Sequence, residues 1–365
     1  MKRRNIIIGG GVLAASVGSA ACLTISGMGS AIDYSDYCSP LRTPLPCPAD
    51  VRTLVRYATL APSGHNTQPW VFRAAGDVIS ICPDLSRRTP VVDPDDHHLF
   101  VSLGAAAENL ALASAASGRP GTVAFNPLDG GSIIFTAAAG PPTPSPLLDA
   151  IPRRQSTRAE YEGGQVSTAD LRTLASSASS PEVDLVLLTD RARIDGVREL
   201  VLAGNSAQMA DPAFVRELKS WLRFNPREAL RTGDGLYSGA NGNPALPDWL
   251  GPRLFDLFVT VKSQNDSYAR QLRSSAGIAV FVAAQADPAR WVAVGQACQR
   301  FALQATALGL KHAFINQPVE VAGLRSHLAA LVGLPGRRPD IVMRFGHGPT
   351  LPYSPRRPVD AVIVA

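Results

Sequence analysis

Ala61-Pro62-Ser63-Gly64-His65-Asn66-Thr67-Gln68-Pro69-Trp70 is the stretch around which the rest of the chain is organised. Its Pro-Ser-Gly turn frees backbone N–H groups, His65, Asn66 and Gln68 add side-chain donors and acceptors, and Trp70 ends the run where an apolar strand begins. A segment of this chemistry can grip a flat, polar-edged ring. Upstream, Asp50 is a candidate N-cap for a helix with Val51, Leu54, Val55 and Ala58 on one face, which must stop before Pro62. Downstream, Trp70-Val71-Phe72 and Val78-Ile79-Ser80-Ile81-Cys82 read as two strands around the Ala75-Gly76-Asp77 turn.

With 365 residues, 45% hydrophobic and 18% charged, the chain is globular and long enough for one large or two medium domains. Its net charge of +5 comes almost wholly from arginine, since Lys2, Lys219, Lys262 and Lys311 are the only lysines. No basic run interleaved with aromatics occurs, which argues against a nucleic-acid partner. Cys22, Cys38, Cys47, Cys82 and Cys298 form no CxxC pair and no zinc spacing. Cys38 and Cys47 flank a proline-rich stretch and are open to pairing in an exported protein, while Cys82 and Cys298 read as buried thiols. Asp93-Pro94-Asp95-Asp96-His97-His98 is the one place where a metal site can be argued. Adjacent ligands do not converge on one ion unless the backbone folds back, and the same residues make helix-start chemistry, so no metal is expected.

Residues 1–31 read as an export signal or membrane anchor: Met1-Lys2-Arg3-Arg4 precedes an apolar, glycine-rich run to Met28. The Arg3-Arg4 pair resembles a twin-arginine signal and implies a protein that is periplasmic or anchored to the inner membrane facing the periplasm. Cleavage, lipidation at Cys22 and retention as an anchor all stay open. Residues 32–48 read as a linker rich in Pro, Ser and Tyr.

A small-residue helix running from Val101 to Ser117 and ending at Gly118 has a double between Val292 and Gly309. Gly104/Gly295, Ala106/Ala297, Ala111/Ala302, Leu112/Leu303 and Gly118/Gly309 share one offset of 191 (295 − 104). Strand-like runs follow both helices. One shared offset points to an internal duplication.

The opening stretch resembles the flavin-contacting segment of the nitroreductase-like FMN oxidoreductases, whose pattern runs Ala-Pro-Ser-x-x-Asn-x-Gln-Pro-Trp. Arg153-Arg154-Gln155-Ser156-Thr157-Arg158 resembles the family's Arg-x-Ser-x-Arg phosphate-binding opening, and Ser354-Pro355-Arg356-Arg357-Pro358 its C-terminal basic segment. Asn316-Gln317 lies where the family makes backbone contacts to the flavin edge. The resemblance implies an α+β fold, a mostly antiparallel sheet covered by helices, internally duplicated as a pseudo-dimer. Half 1 would be 49–150 and half 2 151–365, with a lid inserted at 207–254. It assigns FMN contacts to Pro62, Ser63, Gly64, Asn66 and Gln68 from the first half. From the second half it takes Arg154, Ser156, Arg158, Asn316, Gln317, Arg356 and Arg357. Each half keeps the motifs the other lacks, which implies one composite flavin site and a monomer. The implied activity passes electrons from a small-molecule donor through FMN to an electron-poor acceptor of the nitroaromatic or quinone type, with no catalytic side chain. The alternative is a flavin-sequestering protein with little or no turnover. No GxSxG, P-loop or GxGxxG fingerprint competes.

Overall fold

A computed structural model describes residues 27–364; the Arg3-Arg4 leader lies outside them. The stretch expected to be a linker is instead helix α1 (Ala31–Leu41), capped by Ser30, whose hydroxyl accepts from Asp33 N at 2.9 Å. Tyr34 and Cys38, one turn apart, bury their side chains against Ala229, Tyr237 and Ala240. Cys38 and Cys47 are both free thiols. Helix α2 (Val51–Thr59) starts at the Asp50 cap and ends before Pro62.

Strands β1 (Trp70–Ala75) and β2 (Val78–Pro83) pair across a turn in which Gly76 takes φ 58°. Alternation turns Trp70, Phe72, Ile79 and Ile81 into the core. Helix α3 (His97–Ala116) follows, then β3 (Gly121–Asn126) and β4 (Ser132–Ala137), giving the antiparallel order β1-β2-β4-β3. By length and composition α3 would pass for a membrane span, yet 78% of its apolar window is buried inside the protein, so it is a core helix.

The same plan recurs. Helix α4 (Thr168–Ser177) leads to β5 (Val183–Leu188), then come α5 (Arg191–Ala210), β6 (Gly277–Ala283), α6 (Pro288–Ala307), β7 (Lys311–Phe314), α7 (Gln317–Glu320) and β8 (Pro339–Gly346). The sheet order is β5-β6-β8-β7, again all antiparallel, so each strand has its counterpart in the first sheet. Helices α3 and α6 pack against each other at the centre of one continuous core. A Cβ on Gly104 would lie 2.1 Å from Val292 O, and one on Gly295 would lie 2.1 Å from Val101 O. Val101 and Val292 are themselves 191 apart, as the two glycines are. Further along, Arg300 Nη1 bonds Glu108 Oε2 at 2.8 Å and Gln299 Nε2 bonds Asn109 Oδ1 at 2.7 Å. Position i of one repeat meets position j of the other, and j meets i. That is the self-complementary contact of a two-fold dimer, here within one chain.

Two features break the symmetry. The first hairpin closes in two residues, whereas 189–276 intervene between β5 and β6, an interruption wider than the 207–254 lid expected from sequence. From β8 the chain also returns to the first sheet, where β9 (Ile363–Val364) lies parallel to β1.

Candidate active site

The Pro62–Gln68 turn is strained backbone that other segments hold in place. His65, Asn66 and Gln68 take φ of 46°, 55° and 54°, a region side chains rarely adopt. Asn66 Nδ2 donates to Gly235 O and Pro355 O at 3.1 Å each, while Asn66 Oδ1 accepts from Arg356 Nη1 at 2.9 Å. Gln68 Nε2 donates to Gly233 O at 2.8 Å, and its Oε1 accepts from Arg357 N at 2.9 Å. Both side chains are buried and fully engaged with protein. They fasten the turn to the inserted segment and to a C-terminal strap at residues 355–357, and neither lines the cavity that the turn borders.

Fastened in this way, the turn presents Pro62, Ser63, Gly64 and His65 to a cavity of about 640 Å³, within the roughly 300–1,000 Å³ usual for small-ligand sites. Helix α3 contributes His98, Val101, Ser102 and Ala105. The second repeat supplies Arg158, Cys298, Phe314, Asn316, Gln317 and Glu320, and the inserted segment adds Gln208, Phe214, Phe224, Asn241, Phe255 and Tyr268. Pro62, Ser63, Gly64, Arg158, Asn316 and Gln317 thus line one cavity.

The other arginines go elsewhere. Arg356 is 3% exposed and donates through Nε to Thr59 O at 2.7 Å. Its Nη1 reaches Asn66 Oδ1 and Pro355 O, and its Nη2 reaches Leu60 O and Ala61 O. The carbonyls at the end of α2 and in the turn beyond it satisfy this guanidinium, so no donor nitrogen remains free for a phosphate. Arg357 lies on the far side of the turn, donating to Gln68 O and Ala361 O with Asp84 at 3.6 Å. Ser156 forms a backbone bridge to His312 and does not line the cavity. Arg154 is buried behind the wall, within electrostatic reach of Cys298. Its Nη2 donates to Leu60 O at 3.0 Å, while Nε and Nη1 have no partner.

Charge is sparse in the cavity. Among the described residues that line it, Arg158 is the sole arginine or lysine, and its Nη1 donates to Asn241 Oδ1 at 3.0 Å. Burial, helped by Arg158 and His98, pushes His65 down to about 4. Burial and His97 also lower His98, so both imidazoles are neutral at pH 7. Burial raises the Glu320 carboxyl, whose Oε2 accepts from Gln208 Nε2 at 2.6 Å. His65 Nδ1, His98 Nε2 and Gln317 Oε1 are buried without partners. The walls therefore offer neutral imidazole and amide atoms, the Glu320 carboxyl, broad apolar surface and one guanidinium, which suits a flat, polar-edged ligand with an anionic group at Arg158. Sequence reasoning missed Tyr268 and Glu320 and read His98 only as helix-start or metal chemistry, since their place in the cavity depends on how distant elements meet.

Asp93, His97 and His98 lie close enough for a metal cluster, but both Asp93 oxygens accept from the start of α3, at His98 N and Leu99 N, 3.0 Å each. His97 Nε2 bonds Asp340 Oδ1 at 2.9 Å. This is the helix-start chemistry read from sequence.

No family model matches the chain. It is 28% identical over 338 residues to "Putative NAD(P)H nitroreductase Rv3131" of Mycobacterium tuberculosis H37Rv, covering 88% of this chain and 93% of that protein. With the like-named Acg of the same strain it shares 25% over 325 residues, 86% and 94% of the two chains. Among solved structures, an FMN-bound nitroreductase from Desulfitobacterium hafniense overlays with TM-score 0.37 at 16% identity, over 59% of this chain and 94% of that one. The FMN-dependent nitroreductase NfnB of Mycobacterium smegmatis, in complex with NADPH, gives 0.36 at 13%, over 55% and 86%.

Proposed function

We propose, from the premise that this chain is a nitroreductase-like protein, that it is an FMN-dependent oxidoreductase with one composite flavin site. Electrons would pass from a small-molecule reductant to an electron-poor acceptor of the nitroaromatic or quinone type. The observation that carries this is the cavity where the repeats meet, with its neutral polar edge and its single guanidinium. The residues fit the cofactor. Pro62–Gly64, Asn316 and the unpartnered Gln317 Oε1 would meet the ring edge, and Val101, Ala105 and Phe314 would cover its faces and keep water out. Arg158, the one guanidinium among the lining residues described, would hold the phosphate. When bound, the flavin supplies the redox chemistry.

The pseudo-symmetric position does not offer a second such site. There the carbonyls after α4 are already engaged, since Arg300 donates to Ser177 O at 3.0 Å and Ser179 O at 3.3 Å and pairs with Glu108. Extraction and absorbance should therefore give one FMN per chain. Arg158→Ala should loosen FMN by about 10- to 100-fold, the effect of losing one or two charge-assisted bonds. Two flavins per chain, or unchanged affinity in the variant, would sink the composite site.

The inserted segment forms much of the cavity wall, which favours a second reading, flavin sequestration with little turnover. Stopped-flow bleaching distinguishes the two. Reduction of the bound flavin by NADPH supports the enzyme, whereas reduction only by a low-potential chemical reductant supports sequestration. In the same proposal the Arg3-Arg4 leader exports folded, loaded protein. Arg3→Lys with Arg4→Lys should leave flavin-loaded protein in the cytoplasm on fractionation. Undiminished delivery would reduce the pair to a basic flank.

A further inference from the structure

A second cavity of about 700 Å³ lies outside the duplicated framework, between α1, the end of α2, residues 148–153 and the strap at 351–353. Four tyrosines line it, Tyr34, Tyr57, Tyr237 and Tyr353, together with Arg42. Its construction is definite. Tyr34 Oη donates to Tyr353 O at 2.6 Å, and the Arg42 guanidinium stacks 3.5 Å over the Tyr353 ring. Arg42 Nη1 donates to Pro152 O at 2.6 Å, its one hydrogen bond to protein among the described residues.

The groups nearest Arg42 in charge are Tyr353, Cys38 and Tyr34, with no carboxylate among them. Behind the wall stand two more buried guanidinium groups, Arg154 and Arg356, each close enough to Arg42 to repel it. The lining carboxylate, Asp149, is exposed and shares the rim with Arg153, whose Nε donates to Asp149 O at 3.0 Å. A half-buried cation with one hydrogen bond and no counter-ion among the described residues carries a desolvation cost that an incoming anion relieves. Tyrosine rings at the same site favour a flat aromatic body, and a guanidinium matches a carboxylate by two parallel N–H···O bonds.

We propose that this second cavity is a binding site for an aromatic carboxylate, with its ring among the tyrosines and its carboxylate on Arg42. The site is separate from the first cavity and does not depend on the flavin reading. The two share a wall, since Tyr237 faces one and Ser238 the other.

The test is titration of the full-length protein with 1-naphthoate, followed by calorimetry and ligand fluorescence. Saturable binding is expected, with the same affinity in flavin-loaded and flavin-free protein. Uncharged 1-naphthalenemethanol should bind at least tenfold more weakly. Arg42→Leu should weaken naphthoate at least tenfold and Arg42→Lys should recover part of the loss. Leu148→Trp, which fills the cavity and leaves Arg42 in place, should abolish binding, so the outcome does not hang on how well Arg42→Leu folds. Equal affinity in wild type and Arg42→Leu, displacement of naphthoate by FMN, or the absence of saturable binding would each overturn the proposal.

Discussion

Gly104→Val is expected to cost on the order of 3 kcal/mol or more, or to prevent folding, and Gly295→Val is expected to cost nearly the same. At both positions the new Cβ would stand 2.1 Å from a backbone carbonyl oxygen of the facing helix. Backbone cannot swing away as a flexible side chain can, so α3 and α6 would have to separate and the core between the repeats would open. The near-equality is the sharper part of the expectation, because it follows from the self-complementary crossing and not from burial alone. Thermal or denaturant unfolding measures it. Gly309→Ala serves as the control: it has open space but φ of 76°, so a loss of only about 1 kcal/mol is expected. A Gly104→Val protein as stable as wild type, or widely different losses at the two glycines, would contradict the described crossing.

Arg356→Met should destabilise the fold by roughly 3–5 kcal/mol, whether or not flavin is bound. The substitution leaves the carbonyls of Thr59, Leu60 and Ala61 and the Asn66 amide oxygen without their shared donor. It also unfastens the strained turn. Denaturant titrations with and without excess FMN settle its role. A phosphate ligand would show its loss only in the loaded protein, whereas a structural clamp shows it in both. Arg357→Ala, on the half-buried far side, should cost no more than about 1 kcal/mol.

The duplication was legible because its signature is steric. Only small residues permit the α3–α6 approach, so Gly104 and Gly295 appear in the sequence as a repeated pair with Gly118 and Gly309 closing each helix. The cavity-facing part of the turn was legible for the same kind of reason, since Pro62-Ser63-Gly64 has few uses beyond exposing backbone. The roles of Asn66, Gln68 and Arg356 were not. A carboxamide or guanidinium serves a ligand or a distant carbonyl with the same atoms, and only the fold brings Gly233, Gly235 and Pro355 within reach. Helix α1 was hidden by Pro40 and by a polar composition that reads as loop. Its stability comes from Tyr34 and Cys38 docking on residues some two hundred positions away.

The Asn66–Arg356 bond joins positions 290 apart in sequence, and this has a consequence for biosynthesis. A nascent chain holds the Pro62–Gln68 turn long before it holds the clamp that keeps the turn in its left-handed conformation. Until the strap around Arg356 has left the ribosome, the first repeat can lay down its hairpin and central helix but cannot hold its turn in the shape that receives a ligand. The turn therefore takes the shape that lines the cavity only after residues 355–357 have been made, and a chain that stops before them lacks the clamp.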